Sequence, residues 1–431
     1  MGKRRKAGGK MKKLLLLFMA FVLAGCGETG SVTERDLEED VQNLPGDNGN
    51  AQKSADRNGA LQKLAAAVNG FAFDLYPLLH ESAEGKNLFF SPASIHLALA
   101  MTYNGAAGGT KEEMAAVLHA DGMETGELNG SYASFLNMAE AKKGKNELKL
   151  ANSLWLKKGY PFLETYKKTV RENYGASLHE ADFADPQTGE AINRWVEENT
   201  KGKIKNMVNR IPPGTVAYLL NAVYFNGKWA FPFNKEQNFE DDFYAGGKNP
   251  VTVEYMTNER EYPYFENGQF QAVELPYAGK EFSLAVILPK EGESLEEIVG
   301  QLTPEKWERW SQSFAPRRGT VTLPKFQMEY ETSLNEPLQR LGMESAFSGL
   351  ADFSNMVENG GVSIDEVRHK SYVRVDEKGT EAAAATSVAI VESAAGDSFH
   401  FKADRPFLFL IRENRSGMIL FIGELTEPGA K

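Results

Sequence analysis

The chain has 431 residues, with 59 acidic side chains against 48 basic ones and a formal net charge of −11. A protein this acidic is a poor candidate for binding nucleic acid or another polyanion. Its single cysteine excludes an internal disulfide, and its six histidines lack metal-ligand spacing, so the sequence predicts no metal and no cofactor.

The first 25 residues have the pattern of a secretion signal, which either Met1 or Met11 could begin. A basic stretch precedes an apolar run over residues 14–24, and small residues stand directly before Cys26. This arrangement resembles the bacterial lipobox, which implies cleavage before Cys26 and attachment of lipid to it. The alternative is a membrane-spanning helix with an incidental cysteine, but a span needs about 20 apolar residues. We therefore expect a secreted protein, anchored at the extracellular face of a bacterial cell envelope.

Residues 26–59 have the composition of a flexible acidic tether, with glycine, asparagine, serine and few aliphatic residues. Such a segment cannot bury enough apolar surface to fold alone. Removal of the signal would take away seven basic residues and no acidic one, which would change the net charge from −11 to −18. Residues 60–428 show no second linker and predict one large domain.

Helical signals dominate the first half of this domain. Ser91 followed by Pro92 predicts a helix with a serine cap and proline at its first position. Thr110 and Glu113 have capping-box spacing, which predicts a helix start at Thr110. The predicted helices cover residues 60–79, 92–100, 110–118, 161–174 and 189–200.

Strand signals dominate the second half, where apolar residues alternate or run continuously between turn signals. The predicted strands cover residues 271–275, 282–288, 319–327, 407–412 and 417–425. Because helical signals come mostly first and strand signals mostly later, the sequence predicts an α+β fold with large mixed or antiparallel sheets.

One segment, residues 376–396, has a composition suited to a strand that must enter an existing sheet. It contains no proline, and from Thr380 onward small or β-branched residues occupy nearly every position. The even-numbered positions from Thr380 to Ile390 suit burial on one face of a strand, while Glu381 would face solvent. Four alanines also favour helix. Composition alone therefore leaves an alanine-rich helix or a flexible loop open.

This segment resembles the hinge of a serpin reactive-centre loop. Further serpin-like blocks occur in the family's order, among them NLFFSPASIHLALAMTYNGAAGGTKEEM (87–114), NAVYFNGKWAFPF (221–233) and ADRPFLFLIRENRSGMILFIGEL (403–425). The resemblance covers residues 60–427 and implies the serpin fold, in which helices pack around large sheets and a reactive-centre loop is exposed.

The resemblance implies a serine protease inhibitor, not an enzyme, with no catalytic residues of its own. In this family a serine protease attacks the loop and forms an acyl-enzyme, and the cleaved hinge then inserts into the central sheet as a new strand. The implied partner is the target protease, held in a covalent acyl complex by a monomeric inhibitor. The implied hinge consists of Glu377, Gly379, Thr380, Glu381, Ala382, Ala383, Ala384, Ala385 and Thr386.

The expected reactive bond joins Ser393 to Ala394 when positions are counted from Glu377. Counting back from Pro406 places the bond near Ala395 instead. Small residues at this bond suit an elastase-like or subtilisin-like protease, whereas cleavage after Glu392 would indicate a glutamyl-specific one. Residues 379–401 contain no lysine or arginine, which disfavours trypsin-like targets.

The resemblance also assigns Ser91, Ser94, Asn221 and His369 to the shutter, a buried hydrogen-bond network where the sheet must open. The ordinary interpretation of these residues is a helix cap and satisfied core polar groups. Trp229 matches a tryptophan near the upper end of the sheet.

Two other functions compete with inhibition. One is a serpin that no longer inhibits and acts as a binding protein, but the small residues at 379–386 favour an inhibitor. The other is a hydrolase with Ser398 as nucleophile, which lacks the GxSxG elbow.

Overall fold

The computed structural model describes residues 48–141, 146–245, 249–358, 360–380 and 398–429, with side chains described from Gly59 onward. The expected signal, Cys26 and the tether up to residue 47 lie outside the described residues. The folded domain lies within the unit Ser54–Lys431. No helix in the described part is long and apolar enough to cross a bilayer.

Nine α-helices occur in the described ranges, and they overlap all five regions predicted to be helical, although the helix predicted over 161–174 begins only at Glu164. The first helix already includes residues 48–59, which the sequence analysis assigned to the tether. The helices are α1 (Asn48–Ala83), α2 (Pro92–Tyr103), α3 (Gly108–Val117), α4 (Thr125–Ala141), α5 (Glu164–Tyr174), α6 (Pro186–Asn199), α7 (Leu295–Val299), α8 (Pro304–Gln312) and α9 (Asn335–Arg340).

The predicted serine cap of α2 is confirmed, and the predicted capping box of α3 is wrong. The Ser91 side chain accepts a hydrogen bond from the Ser94 N–H at 3.2 Å. Helix α3 begins at Gly108, and Thr110 Oγ1 accepts from the Asp352 N–H at 2.9 Å. Glu113 accepts from the backbone and side chain of Ser345. Both α3 side chains therefore bind a distant segment instead of capping their own helix.

Fifteen strands form two sheets in the described part of the chain. The strands are β1 (Leu88–Phe90), β2 (Asn146–Lys157), β3 (Ser177–Ala181), β4 (Ala217–Lys228), β5 (Phe239–Phe243), β6 (Val251–Glu266), β7 (Phe270–Pro276), β8 (Phe282–Pro289), β9 (Ala315–Pro324), β10 (Phe326–Ser333), β11 (Arg368–Asp376), β12 (Gly379–Thr380), β13 (Phe399–Lys402), β14 (Phe407–Glu413) and β15 (Ile419–Leu425). The nine-stranded sheet has the order β1-β15-β14-β8-β7-β6-β9-β13, with β5 paired to β6. The six-stranded sheet has the order β10-β11-β12-β4-β2-β3.

Both sheets are mixed, since β13–β9 and β2–β3 are parallel pairs among otherwise antiparallel ones. The predicted α+β class is therefore confirmed. One predicted strand, residues 319–327, is wrong because two strands share it: β9 ends at Pro324 and β10 begins at Phe326, in the other sheet. Pro324 has no N–H to donate, which favours a break there.

Helix α2 positions the site described below. All but one of its twelve residues are buried, as expected for a helix that is apolar on every side. It packs against β4 of the six-stranded sheet and β15 of the nine-stranded sheet. Its first turn therefore lies in the interior, directly beside the middle of the six-stranded sheet.

Candidate functional site: the strand position of β12

Among the described residues, one strand position of the six-stranded sheet is occupied only at its upper end. Strand β12 has two residues, and Thr380 pairs antiparallel with Val375 of β11 and with Gly227 of β4. Past Thr380, no described backbone pairing joins β4 to β11. We call the region between residues 217–226 and 368–374 the slot. Two strand edges that face each other without partners are a template for one further strand.

The upper end of the slot is shaped for glycine. Gly379 has φ +152°, and a Cβ atom there would lie 1.9 Å from the Gly227 carbonyl oxygen. A Cβ at Gly227 would lie 2.6 Å from the Tyr277 ring. The Tyr277 hydroxyl contacts Thr380 Oγ1 at 2.6 Å, so the polar atom of this buried threonine is satisfied. The first two strand residues are thus closely fitted on both sides.

Trp229 and Tyr277 form the wall beside these residues. Their rings stack with centroids 4.7 Å apart. The Trp229 indole Nε1 donates to the Asp376 carbonyl oxygen, and its backbone N–H donates to the Lys378 carbonyl oxygen, both at 2.9 Å. The expected tryptophan therefore lies directly against the base of the hinge.

Glu377 anchors that base electrostatically. Its carboxylate accepts hydrogen bonds from Asn238 at 2.6 Å and pairs with Lys325 at 3.0 Å. Burial raises the pKa of Glu377, but hydrogen bonds from its own backbone, Lys325 and Asn238 outweigh it and hold the pKa below its ordinary value. Lys325 also pairs with Glu254 at 2.9 Å. The expected hinge therefore begins at a charged carboxylate, that of Glu377, which Asn238 and Lys325 hold in place.

The four expected shutter residues lie together at the middle of the slot. The Ser91 N–H donates to Nε2 of His369 on β11 at 3.1 Å. The Ser94 hydroxyl donates to the side-chain oxygen of Asn221 on β4, and the Asn221 amide donates to Asn152 of β2 at 2.6 Å. One turn of α2 thus connects both edges of the slot from the buried side.

His369 is neutral in this network. Burial lowers its pKa to about 3, because the charged imidazolium would lose its hydration. Nε2 must be unprotonated to accept the hydrogen bond from Ser91. The hydrogen bond and the neutral state therefore support each other.

Below the shutter the slot opens into a cavity of about 610 Å³. Its apolar lining includes Ile95 and Leu99 of α2, Leu219 of β4, and Phe353 and Met356. The cavity has room for apolar side chains of a strand that continued past the shutter.

The structure places part of the predicted site. Glu377, Gly379 and Thr380 of the expected hinge are described, whereas residues 381–397 lie outside the described residues. That masked range holds Glu381 to Thr386 of the hinge and every candidate for the reactive bond. In the part of the chain that is described, no group of three or more His, Cys, Asp or Glu side chains could hold a metal ion.

Sequence analysis missed Asn152, Tyr277 and Lys325. Tyr277 stands 103 positions before its partner Thr380, and Asn152 stands 69 before Asn221. Tyr277 lies in a further serpin-like block, ELPYAGKEFSLAVILPKEG (274–292), but that block does not indicate the partner of Tyr277.

Residues 66–428 match the family model described as serpin, a serine protease inhibitor. The chain belongs to the serpin family. Serpins are protease inhibitors and not enzymes, in agreement with the expectation from the sequence.

Proteins similar to this serpin come from organisms as different from each other as Thermococcus kodakarensis and Sus scrofa. A serpin-like protein of Thermococcus kodakarensis is 38% identical over 377 residues, covering 86% of this chain and 87% of the relative. The leukocyte elastase inhibitor of Sus scrofa is 37% identical over 381 residues, covering 85% of this chain and 100% of the relative. Human thyroxine-binding globulin, solved with its hormone, superposes with a TM-score of 0.79 at 27% identity, covering 86% of this chain and 100% of its own. The expected serpin fold is confirmed.

Acid should weaken the shutter of this serpin through His369. A histidine whose folded pKa is depressed contributes stability that is complete above about pH 6.5 and is lost as pH falls toward its folded value of about 3. One such proton changes the free energy of unfolding by at most about 1.4 kcal/mol per pH unit. We expect the His369→Asn variant to lose less stability than wild type between pH 7 and 5.

Urea unfolding followed by tryptophan fluorescence at several pH values measures this difference. The His400→Asn variant, which replaces an exposed histidine, is the control and should follow wild type. Equal pH dependence in the His369→Asn variant and wild type would contradict the prediction.

Proposed function

We propose that this serpin inhibits serine proteases by covalent trapping, in which the cleaved loop enters the slot as a complete strand. The observation that carries the proposal is the pairing of the two-residue strand β12 with both β4 and β11. The first two residues of the expected hinge already pair with both edges of the slot, and the neighbouring edges below them have no described strand partner. The chain that follows Thr380 is thus joined to the upper end of the slot.

The pairing register supports this proposal. If the antiparallel register of β12 continued, Thr386 would stand opposite both Asn221 and His369. Even-numbered loop residues would then share the buried face of Thr380, and Glu381 would face solvent. Val388 and Ile390 would reach the apolar cavity below the shutter. The loop has small residues first and larger apolar residues later. This order matches a slot that fits closely at its upper end and opens into a cavity below the shutter.

The proposed trap works by displacement of the protease. A protease serine attacks the reactive bond and becomes acylated, and the released hinge fills the slot. Residues 379–393 would span roughly 50 Å as a strand at about 3.3 Å per residue. The attached protease is carried over that distance, and its oxyanion hole is distorted. Loss of a single oxyanion donor slows hydrolysis by about 10²–10³, so the acyl-enzyme persists.

We propose an elastase-like or subtilisin-like protease as the target. Ser393 and Ala394 flank the proposed reactive bond, and a small primary pocket accepts such residues. The likeness to a leukocyte elastase inhibitor supports this class. Cleavage near Ala395 would shift only the position of the reactive bond. Cleavage after Glu392 would also change the target to a glutamyl-specific protease.

A mixing experiment tests the proposed trapping. The folded chain is incubated with elastase and separately with subtilisin, and the products are separated on a denaturing gel. We expect a covalent complex whose mass is the protease plus most of the inhibitor, and mass spectrometry of the released fragment locates the bond. Clean cleavage without a complex would support a binding protein instead. Turnover of an ester or peptide substrate by the chain alone would support a hydrolase.

A charge on the buried face of the inserting strand should abolish trapping. In the Ala382→Arg variant, insertion would bury an unpaired guanidinium opposite Phe225 and Val373, on the face that Thr380 occupies, which costs several kcal/mol. Insertion slows about tenfold for each 1.4 kcal/mol added to its barrier. We expect more than about ten inhibitor molecules to be cleaved for each protease trapped.

The matched control is Glu381→Arg, which places the same side chain one position earlier, on the proposed solvent face. This variant should still trap the protease at a ratio near one to one. An Ala382→Arg variant that traps as efficiently as the Glu381→Arg variant would refute strand insertion.

We further propose that the mature protein is secreted and anchored to the outer face of the cell through lipid on Cys26. The lipobox-like residues before Cys26 and the basic, then apolar, leader support this localisation. We expect the Cys26→Ala variant, expressed in a bacterial host with lipoprotein processing, to move from the membrane fraction to the soluble fraction and to lose incorporation of labelled fatty acid. An unchanged distribution would contradict the anchor.

A further inference from the structure

Glu424 of β15 is a buried carboxylate that has no part in the slot or the hinge. Its side chain is 2% exposed, and its Oε1 accepts hydrogen bonds from the Tyr76 hydroxyl at 2.6 Å and from Nδ1 of His80 at 2.7 Å. Tyr76 and His80 stand one turn apart on α1, so both can face the same strand. We call Tyr76, His80 and Glu424 the clasp, because they join the first helix to the last strand.

His80 supplies the positive charge that balances Glu424. A buried carboxylate is costly unless hydrogen-bond donors or a cation compensate it. Among the described residues, the cationic partner of Glu424 is His80, whereas the Tyr76 hydroxyl is neutral because burial raises its pKa well above the ordinary value. The hydrogen bond with Glu424 raises the pKa of His80 against the opposite effect of partial burial. The fold therefore favours the charged imidazolium.

The other titratable groups around the clasp do not oppose a proton on His80. Glu296 of α7 is a second carboxylate that raises the pKa of His80. Tyr330 of β10 is neutral, since burial raises its pKa above the ordinary value. On α1 itself, Glu81 pairs with Arg340 of α9 at 2.9 Å, so the charges of these two side chains compensate each other. The surroundings are thus negative or neutral.

Two further attachments hold β15 to the first helix and the turn that follows it, and both use uncharged groups. The Asn69 amide donates to the Gly417 carbonyl oxygen at 2.9 Å, and its side-chain oxygen accepts from the Ile419 N–H at 2.8 Å. The side-chain oxygen of Asn87 accepts from the Thr426 N–H at 2.8 Å. The clasp lies between these two points along β15, so it is the ionisable part of the attachment.

Strand β15 also carries one contact of the shutter. The Ser91 hydroxyl donates to the Leu420 carbonyl oxygen at 2.6 Å, and the Ser91 N–H donates to His369. Acid affects the two buried contacts in opposite directions. A proton on His369 removes the acceptor that Ser91 uses, whereas a proton on His80 places a cation beside a buried carboxylate.

We propose that the clasp fastens α1 to β15 most firmly in acid, in the pH range in which the shutter weakens. Acid then loosens the middle of the slot while β15, which carries Leu420, stays attached to the first helix. A group whose folded pKa is raised contributes stability that is complete below its unfolded pKa, about 6.5 for histidine, and is lost as pH rises through the folded pKa. This inference does not depend on the proposed trapping of a protease.

The His80→Asn variant tests the clasp, because its amide nitrogen can take the place of Nδ1 and never carries a charge. Urea unfolding at about pH 5.5 and about pH 9 gives the ratio of the unfolding constants of variant and wild type. We expect this ratio to be larger in acid, by about tenfold for each pH unit by which folding raises the pKa of His80. An NMR titration of the His80 ring in wild type measures that pKa independently.

Two controls separate the ion pair from other effects of the substitution. In a Glu424→Gln background, which keeps an acceptor oxygen but removes the charge, His80→Asn should change the unfolding constant by the same factor at both pH values. His119→Asn removes an exposed histidine that lies 2.6 Å from Asp74, where both side chains are at least 38% exposed. Exposed pairs contribute little, so its ratio should barely change with pH.

Equal ratios for His80→Asn at the two pH values would overturn the inference. A folded pKa of His80 at or below about 6.5 would also overturn it, and this measurement decides alone if the variant does not fold. A pH dependence of the same size in the Glu424→Gln background would contradict the clasp, because the imidazolium would then have another partner. None of these outcomes bears on whether the chain traps a protease, which the mixing experiment tests separately.

Discussion

The interaction on which the rest of this structure depends is the half-completed pairing of β12. Two residues of a strand lie between β4 and β11 and satisfy the backbone at the top of the slot, and the edges below have no described strand between them. A sheet with a missing central strand is less stable than the same sheet completed, because each edge group can gain a hydrogen bond inside the protein. That difference is the source of free energy for the proposed trap.

Two sets of contacts lie along the slot, one at its upper end and one at its middle. At the top, Gly379 against the Gly227 carbonyl and Thr380 against the Tyr277 hydroxyl admit the first strand residues closely. In the middle, the first turn of α2 connects His369 to Asn221 through Ser91 and Ser94. These polar contacts join residues on both sides of the slot, so a complete strand would have to form in the presence of this network. We propose that the upper contacts align the strand and that the middle network resists opening of the sheet before cleavage.

Sequence reasoning succeeded where local pattern and long motif blocks agreed. The Ser91 cap followed from its serine and proline, and the four shutter residues came from blocks far apart in the chain. It failed at Thr110 and Glu113, whose capping-box spacing predicted a local role. Their side chains bind Asp352 and Ser345 instead. It also failed at residues 319–327, because a continuous apolar run does not show that the chain changes sheets at Pro324. Each failure is a tertiary contact that outweighs a local preference.

By itself the sequence determined the α+β class, the serpin resemblance and the small, proline-free composition that lets residues after Lys378 serve as a strand. These properties depend on residue type and spacing, which are local and can be read along the chain. Only the tertiary structure decided that Thr380 already pairs in the sheet, that Lys325 and Asn238 hold Glu377, and that α2 spans the slot. The side-chain partners of Glu377, Thr380 and His369 in these contacts lie from 52 to 278 positions away. No local pattern specifies such pairs, because they arise when sheets and helices pack around a shared core.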